Sequence, residues 1–371
     1  MRVVLTGGGT GGHIYPALAI ARGLKESQPK VKILFVGTQQ GMEATIVPKE
    51  GYRFRTVTAE GLERRVSWRI IKTGVKLIKG FIEAYRVLRD FQPTVVVGTG
   101  GYVCGPVVMV ASLMGLPTVI HEQNALPGIT NRFLAGRVDR VLTTFPDSVR
   151  HFPKSARVFV TGLPIRSEIL RVTREVGARC LKIDPAKFTL LVVGGSRGAQ
   201  SINRAMGQVL LAWQNRHDRQ IVFVTGQAGY DDTMANLQEM GIDLAKCGNI
   251  MVTPYVYDME NALAVADLVV CRAGAATLAE ITAKGIPAVL IPYPFAAENH
   301  QEFNARSLVE RGAAELILDR ELSGERLLGV LDRLFSDRKR LARMAAASKS
   351  CGQPDALDEI INHIKEVSRK S

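Results

Sequence analysis

Short runs of consecutive apolar residues recur along the chain, each closed by glycine or polar residues and followed by a segment of helical composition. Val3-Val4-Leu5, Thr94-Val95-Val96-Val97, Pro117-Thr118-Val119-Ile120, Leu190 to Val193, Ile221 to Thr225, Ile250-Met251-Val252, Leu268 to Cys271 and Ile286 to Ile291 are unbroken rather than alternating. Such runs suit strands covered on both faces in a parallel sheet. Val138 to Thr143 and Val158-Phe159-Val160 complete the first half's run of strands, and strands separated by helical lengths predict doubly wound α/β architecture. Thr161-Gly162-Leu163-Pro164-Ile165-Arg166 interrupts the rhythm, and the plan then begins again. Two similar α/β halves are expected, facing each other across a cleft. One segment reads differently. Between Arg53 and Asp90, Trp68, Ile71, Val75, Ile78 and Ile82 follow helical spacing, while Arg69, Lys72, Lys76 and Lys79 form a basic stripe near Arg64 and Arg65. That helix either packs its apolar face on the sheet or lays it into an anionic membrane interface; Ile70, Leu77 and Phe81 make the apolar arc wider than one packed stripe needs.

Polar and glycine residues gather where the apolar runs end, the edge at which open parallel sheets bind ligands. The first strand passes into Thr6-Gly7-Gly8-Gly9-Thr10-Gly11-Gly12-His13, the run Thr94 to Val97 into Gly98-Thr99-Gly100-Gly101-Tyr102, and the strand after it into His121-Glu122-Gln123-Asn124. Glycine turns bring backbone N–H groups close to a phosphate or sugar. Strand Ile33 to Val36 continues as Gly37-Thr38-Gln39-Gln40, without the ribose-binding acid of a dinucleotide site, which counts against a nicotinamide cofactor. His13 is either a loop histidine bonded to a carbonyl or a general base. The second half carries Gly194-Gly195-Ser196-Arg197-Gly198, where Ser196 can donate to a phosphate that Arg166 or Arg197 neutralises. The stretch from Asp267 to Asn304 supplies a strand, a turn at Gly274, a helix over Thr277 to Lys284, a second strand and the polar run Glu298-Asn299-His300-Gln301. The small Ala273, Ala275 and Ala276 leave room for an anion at the helix start, and Glu280 either holds a ribose or is merely solvated.

Composition narrows the picture. With 371 residues, 46% of them hydrophobic, and a mean hydropathy of +0.08, the chain can bury two cores. No apolar run reaches the roughly 18 residues of a membrane span, and no signal peptide precedes the first strand. A cytoplasmic location is expected, and the five scattered cysteines fit reduced thiols with no metal site. The formal charge of +13 calls for an anionic partner. The low aromatic content of 6% argues against nucleic acid, leaving a membrane surface or a polyphosphate substrate.

GGGTGGH, GTGGY, HEQNALPG, GGSRGAQ and CRAGAATLAE, in that order over nearly the whole chain, resemble the MurG family of bacterial cell-wall glycosyltransferases. The resemblance implies two Rossmann-like domains of GT-B type: 1–163 for the lipid acceptor and the membrane, with a helix of about 350–371 packing back on it, and 164–349 for UDP-N-acetylglucosamine. It implies an inverting transfer, without metal or cofactor, to a lipid-linked muramyl-pentapeptide at the cytoplasmic face of the membrane. Donor contacts then fall on Thr10, Gly11, Gly12, Asn124, Arg166, Ser196, the backbone at Val256, the run Gly274, Ala275, Ala276, Thr277, Leu278 and Ala279, and Glu280 for the ribose. His300 and Gln301 fall on the sugar. His13 is the first candidate for the base and Glu122 the second. Trp68, Lys72, Lys76 and Lys79 fall on the membrane-docking segment. Another GT-B enzyme using a UDP-sugar, a glycolipid synthase or an epimerase, is the competing reading; an epimerase has no use for the basic apolar segment.

Overall fold

The computed structural model describes residues 1–60, 69–195 and 199–369, with the backbone alone over 69–74. Arg64, Arg65, Trp68, Ser196, Arg197 and Gly198, and the side chains of Arg69, Ile70, Ile71 and Lys72, lie outside the described residues. The chain forms two compact units, Met1–Pro164 with Pro354–Ser371, and Ile165–Gln353.

The first unit comprises β1 (Arg2–Thr6), α1 (Gly11–Ser27), β2 (Lys32–Gly37), α2 (Glu43–Lys49), β3 (Arg53–Thr56), α3 (Arg69–Phe91), β4 (Val95–Gly98), α4 (Cys104–Leu113), β5 (Thr118–Glu122), α5 (Ile129–Leu134), β6 (Arg140–Thr143), β7 (Val158–Val160) and the C-terminal helix Ala356–Ser368. Its sheet runs β3-β2-β1-β4-β5-β6-β7, with every pair parallel. Alternate residues of the central strands serve two cores, which is why their apolar runs are unbroken. Val3, Leu5, Val95 and Val97 meet Ile14 and Leu18 of α1 and Ile360 and Ile364 of the C-terminal helix, whereas Val4, Val96 and Ile120 meet Ala84, Leu88, Val107 and Val108 of α3 and α4. Each such side chain contributes about 1.5–3 kcal/mol by leaving water. Gly23 lets the C-terminal helix close on α1, because a Cβ there would stand 2.5 Å from Ile361 Cδ1.

The second unit comprises α6 (Ser167–Arg171), α7 (Arg174–Leu181), β8 (Phe188–Val193), α8 (Gln200–Trp213), β9 (Arg219–Val224), α9 (Tyr230–Glu239), β10 (Ile250–Thr253), α10 (Met259–Val265), β11 (Leu268–Cys271), α11 (Ala275–Lys284), β12 (Ala288–Leu290), α12 (His300–Glu310), β13 (Ala314–Leu316), α13 (Gly324–Ser336) and α14 (Arg338–Cys351). Its parallel sheet runs β10-β9-β8-β11-β12-β13. Leu190 and Val192 pack with Ile202, Met206 and Val209 of α8 and Leu327 and Leu331 of α13. In each sheet the strand order reverses once, beside β1 and β4 and beside β8 and β11, and a ligand crevice belongs at such a point. Two strands escaped the sequence reading. β3 is charged and mostly exposed, and β13 is three residues long, so neither shows an apolar run.

α3 turns its faces in an unexpected way. Gly80, Ala84 and Leu88 are buried, and a Cβ on Gly80 would lie 2.1 Å from the Thr58 carbonyl oxygen. The stripe read from the sequence points outward instead, with Val75 62% and Ile78 63% exposed and Ile82 also exposed. Gly80 and Ala84 let the helix approach closely and seat Leu88, leaving Val75, Ile78 and Ile82 outside.

Candidate functional site

Three loops meet at the C-terminal edge of the first sheet. Gly8 N–H donates to the Gly100 carbonyl (3.3 Å), and Gly101, at φ +84°, allows a contact in which a Cβ would be 2.3 Å from Gly8 O. Glu43 braces the first glycine loop from beneath. It is 1% exposed, and its carboxylate accepts from Gly9 N (3.0 Å), Thr38 N (2.9 Å) and Thr38 Oγ1 (2.7 Å). Burial alone raises its pKa, but these bonds outweigh that and hold the carboxyl below its ordinary value. α1 starts at Gly11 with Thr10 as an extended N-cap and no acid in its first turn, so the free amides of that turn face the loop. His13 sits in the same turn, partly exposed. Its Nδ1 lies 2.9 Å from Thr99 O and 3.0 Å from Gln123 Oε1, and Nε2 has no partner among the described residues.

Glu122 does not fit the part of a base. It is 1% exposed, and its oxygens accept from Asn124 N (2.9 Å), Asn124 Nδ2 (3.3 Å), Gly128 N (3.1 Å) and Asn131 Nδ2 (2.8 Å). Its carboxylate folds the 122–131 loop and has no lone pair turned to solvent. Beyond this edge, α3, α4 and α5 enclose an apolar groove of about 430 Å³ with Leu77, Phe81, Met109 and Phe133 in its walls. Lys76 at its rim pairs with Glu60, and Lys79 lies 3.8 Å from Glu83.

The second unit presents its own edge. Gly274 caps α11 in extended conformation, no acid occupies the first turn, and a Cβ on Gly274 would meet nothing within 4 Å. The helix N-terminus is thus open to an anion. It is held by α12: Gln301 Oε1 accepts from Ala273 N (3.2 Å) and Tyr293 N (2.9 Å), and Asn304 Nδ2 donates to Ala273 O (3.2 Å). Just before α12, Glu298 and Asn299 both adopt left-handed conformations (φ 51° and 57°), strain of the kind that collects at binding loops. His300 Nδ1 donates to Ala297 O (2.7 Å), which leaves Nε2 as an acceptor. Glu280, one turn into α11, has its pKa pushed up to about 7, first by burial and then by Glu260, against the pull of Arg166. Arg166 Nη1 is 3.2 Å from Glu260 Oε2. Val256 lies in the loop after β10 between Tyr255 and Tyr257, whose rings are 4.9 Å apart. Among the described residues no three His, Cys, Asp or Glu side chains gather as metal ligands.

The N-terminal domain model of glycosyltransferase family 28 matches residues 3–143, and the C-terminal domain model matches residues 189–360. The chain belongs to glycosyltransferase family 28. It is 51% identical over 367 residues, 99% of each chain, to a Desulforamulus reducens protein named UDP-N-acetylglucosamine--N-acetylmuramyl-(pentapeptide) pyrophosphoryl-undecaprenol N-acetylglucosamine transferase. A Desulfitobacterium hafniense protein of the same name is 52% identical over 361 residues, covering 97% of this chain and 98% of that one. Among solved structures, Acinetobacter baumannii MurG superposes with a TM-score of 0.81 at 29% identity, covering 98% and 99% of the two chains; the two domains are of GT-B type. A structure titled putative UDP-N-acetylglucosamine 2-epimerase from Listeria monocytogenes matches with a TM-score of 0.68 at 14% identity over 100% of this chain and 97% of that one, a likeness of fold alone.

Within this family 28 framework, the residues named from the sequence divide between the units. Thr10, Gly11, Gly12, His13 and Asn124 lie on the first sheet's edge, and Arg166, Val256, Gly274 to Glu280, His300 and Gln301 on the second's. Glu43, Asn304 and Arg272 were missed, and Gln123 was read only as one member of the polar cluster after β5. Arg272 donates to Asp319 Oδ1 (2.5 Å), Ile291 O (3.1 Å) and Ser201 Oγ (3.0 Å), tying the first turn of α8 to the segments after β12 and β13. Only the motif CRAG hinted at it.

Proposed function

We infer that this chain transfers N-acetylglucosamine from UDP-N-acetylglucosamine to the muramyl hydroxyl of undecaprenyl-pyrophosphoryl-MurNAc-pentapeptide, the step that builds the disaccharide lipid precursor of peptidoglycan. The observation that carries this reading is the 51% identity over 99% of both chains to a transferase of that name. The glycine loops, the open helix N-terminus and the half-buried Glu280 of the second unit support it chemically.

The donor is assigned to the second unit, residues 165–353. Glu280 accepts hydrogen bonds from the ribose hydroxyls, the backbone at Val256 takes the uracil, and the amides at Gly274 to Thr277, with Leu278 and Ala279 behind them, and Arg166 are assigned to the pyrophosphate, as Ser196 is from its sequence motif alone. Both lone pairs of Gln301 Oε1 are taken by backbone amides, so its NH2 is the end that donates to the sugar, and His300 Nε2 accepts. In the inverting step, the acceptor oxygen forms a bond to the anomeric carbon while the bond to the phosphate oxygen breaks, and the electron pair leaves with UDP. The hydroxyl proton passes to His13 Nε2. Charge developing on the leaving group is met by fixed amides and Arg166. Thr10, Gly11, Gly12 and Asn124 complete the set of substrate contacts from the first unit.

No described helix is long and apolar enough to cross a membrane. Adsorption at the cytoplasmic face is the proposed route to the lipid-linked acceptor. The outward face of α3 supports this, because Val75, Ile78 and Ile82 are exposed beside Lys76 and Lys79, and Trp68 and Lys72 extend the same segment in sequence. One assay tests the whole reading. UDP release from UDP-N-acetylglucosamine should require the lipid-linked muramyl acceptor; release or epimerised sugar without acceptor would favour the epimerase instead.

A further inference from the structure

Gln123 lies behind His13 and is 2% exposed, and its neighbour His121 is fully buried. The Gln123 Nε2 group lies 2.9 Å from Thr99 O, 3.0 Å from His121 O and 3.1 Å from His121 Nδ1. Both carbonyl oxygens are acceptors only, so the amide is fixed with nitrogen toward them; the reversed amide would set oxygen against oxygen twice. Its Oε1 then faces His13 Nδ1 at 3.0 Å, alongside Thr99 O at 2.9 Å. Two acceptors converge on Nδ1, which is satisfied only if that nitrogen carries the proton. We propose that Gln123, locked by Thr99 and His121, is a positioning residue that holds His13 as the Nδ1–H tautomer, with the Nε2 lone pair open to the acceptor hydroxyl.

His121 completes the lock. Its Nε2 donates to Gly162 O at 2.8 Å, so Nδ1 is left to accept from Gln123. A protonated His121 would present a second donor to the amide and turn it round. Burial keeps that from happening, lowering the pKa to about 4 against the pull of the Gly162 bond. The ring of His13 is placed independently: Thr99 Oγ1 donates to His13 O at 2.8 Å, and Gly100 admits the imidazole where a Cβ would stand 2.8 Å from Nδ1. Position and tautomer thus rest on different groups. No proton moves along the chain from His13 to Gly162; its part is to fix which nitrogen is the base.

The proposal rests on His13 being the base, and two measurements keep the ideas separable. Nitrogen NMR of histidine-labelled full-length protein reads the tautomer directly, whatever the activity. Nδ1–H at His13 is expected in the parent; Nε2–H there sinks the proposal outright. Gln123→Met preserves side-chain length and removes the amide. Turnover should fall roughly five- to tenfold, as expected for one lost buried hydrogen bond. The KM for UDP-N-acetylglucosamine should hold, and the acidic limb of the pH–rate profile should move down, because the imidazolium loses an acceptor. A purely structural glutamine would lower stability and leave that limb in place, and an unmoved limb with unchanged turnover overturns the positioning role. Should Gln123→Met fail to fold, the parent tautomer still decides. His13→Ala with full turnover would end the base assignment while leaving the tautomer result standing.

Discussion

Glu280 has a titration that its proposed role makes visible. Burial and Glu260 raise its pKa to about 7, so near neutral pH part of the free protein carries a neutral carboxyl there. A ribose diol donates to the ionised form more strongly, so affinity for UDP-N-acetylglucosamine should rise from pH 6 to pH 8. That ligand has no group titrating in this window, and calorimetry across it should show a flat, roughly tenfold weaker profile for Glu280→Gln. A flat profile in the parent removes Glu280 from the ribose. Stability runs the other way. The folded chain keeps a proton that the unfolded chain sheds, so this group's contribution declines as pH rises from about 4.5 to about 7. Glu43 has the opposite sign, with a lowered pKa: its contribution is present above the ordinary carboxylate value and is lost on acidification. Glu43→Gln must turn one NH2 group toward an N–H or hydroxyl donor, and we expect a cost of about 1–3 kcal/mol in denaturant melts; an unchanged midpoint would mean the brace is idle. These roles mark the limit of sequence legibility at this scale. The glycines announced themselves by spacing, but an acid reads as solvated until the fold brings Gly9 and Thr38 to Glu43, or Gly128 and Asn131 to Glu122.

Elements with long apolar runs were legible because two-sided burial leaves no polar position to interrupt them, as β1, β4, β8 and β11 show. β3 and β13 were not, since edge strands need no such run. The orientation of α3 was hidden for another reason. Periodicity locates an apolar stripe but does not say whether that stripe or the Gly80-Ala84-Leu88 line seats the helix, and the close approach at Gly80 decided for the latter. The two faces should answer differently to substitution. Ile78→Ser and Ile82→Ser should leave unfolding free energy within about 0.5 kcal/mol, whereas Leu88→Ala, 1% exposed, should cost about 2–5 kcal/mol. Equal destabilisation by all three would show that α3 seats its larger side chains in the core.

At the scale of the whole molecule, the proposed adsorption to a lipid surface rests on the excess of +13 charges and the exposed apolar face of α3. Each lysine near an anionic leaflet contributes about 1 kcal/mol, and the exposed Val75, Ile78 and Ile82 add shallow insertion. Lys76 and Lys79 already face Glu60 and Glu83, so their net pull depends on those acids being outweighed by the cationic excess. Binding to vesicles containing anionic lipid should therefore be measurable and should weaken as salt shortens the screening length from about 10 Å at 0.1 M to about 3 Å at 1 M. Changing Lys72, Lys76 and Lys79 to Glu reverses three charges, those at 76 and 79 beside Glu60 and Glu83, and should abolish sedimentation with such vesicles. Affinity for UDP-N-acetylglucosamine should stay at the parent value, because Glu280, Arg166 and the α11 N-terminus belong to the unit spanning 165–353. Cosedimentation equal to the parent's would place the docking surface elsewhere. A joint loss of vesicle and donor binding would instead mean that the triple change damages the fold, which the melting profile of the same sample would reveal.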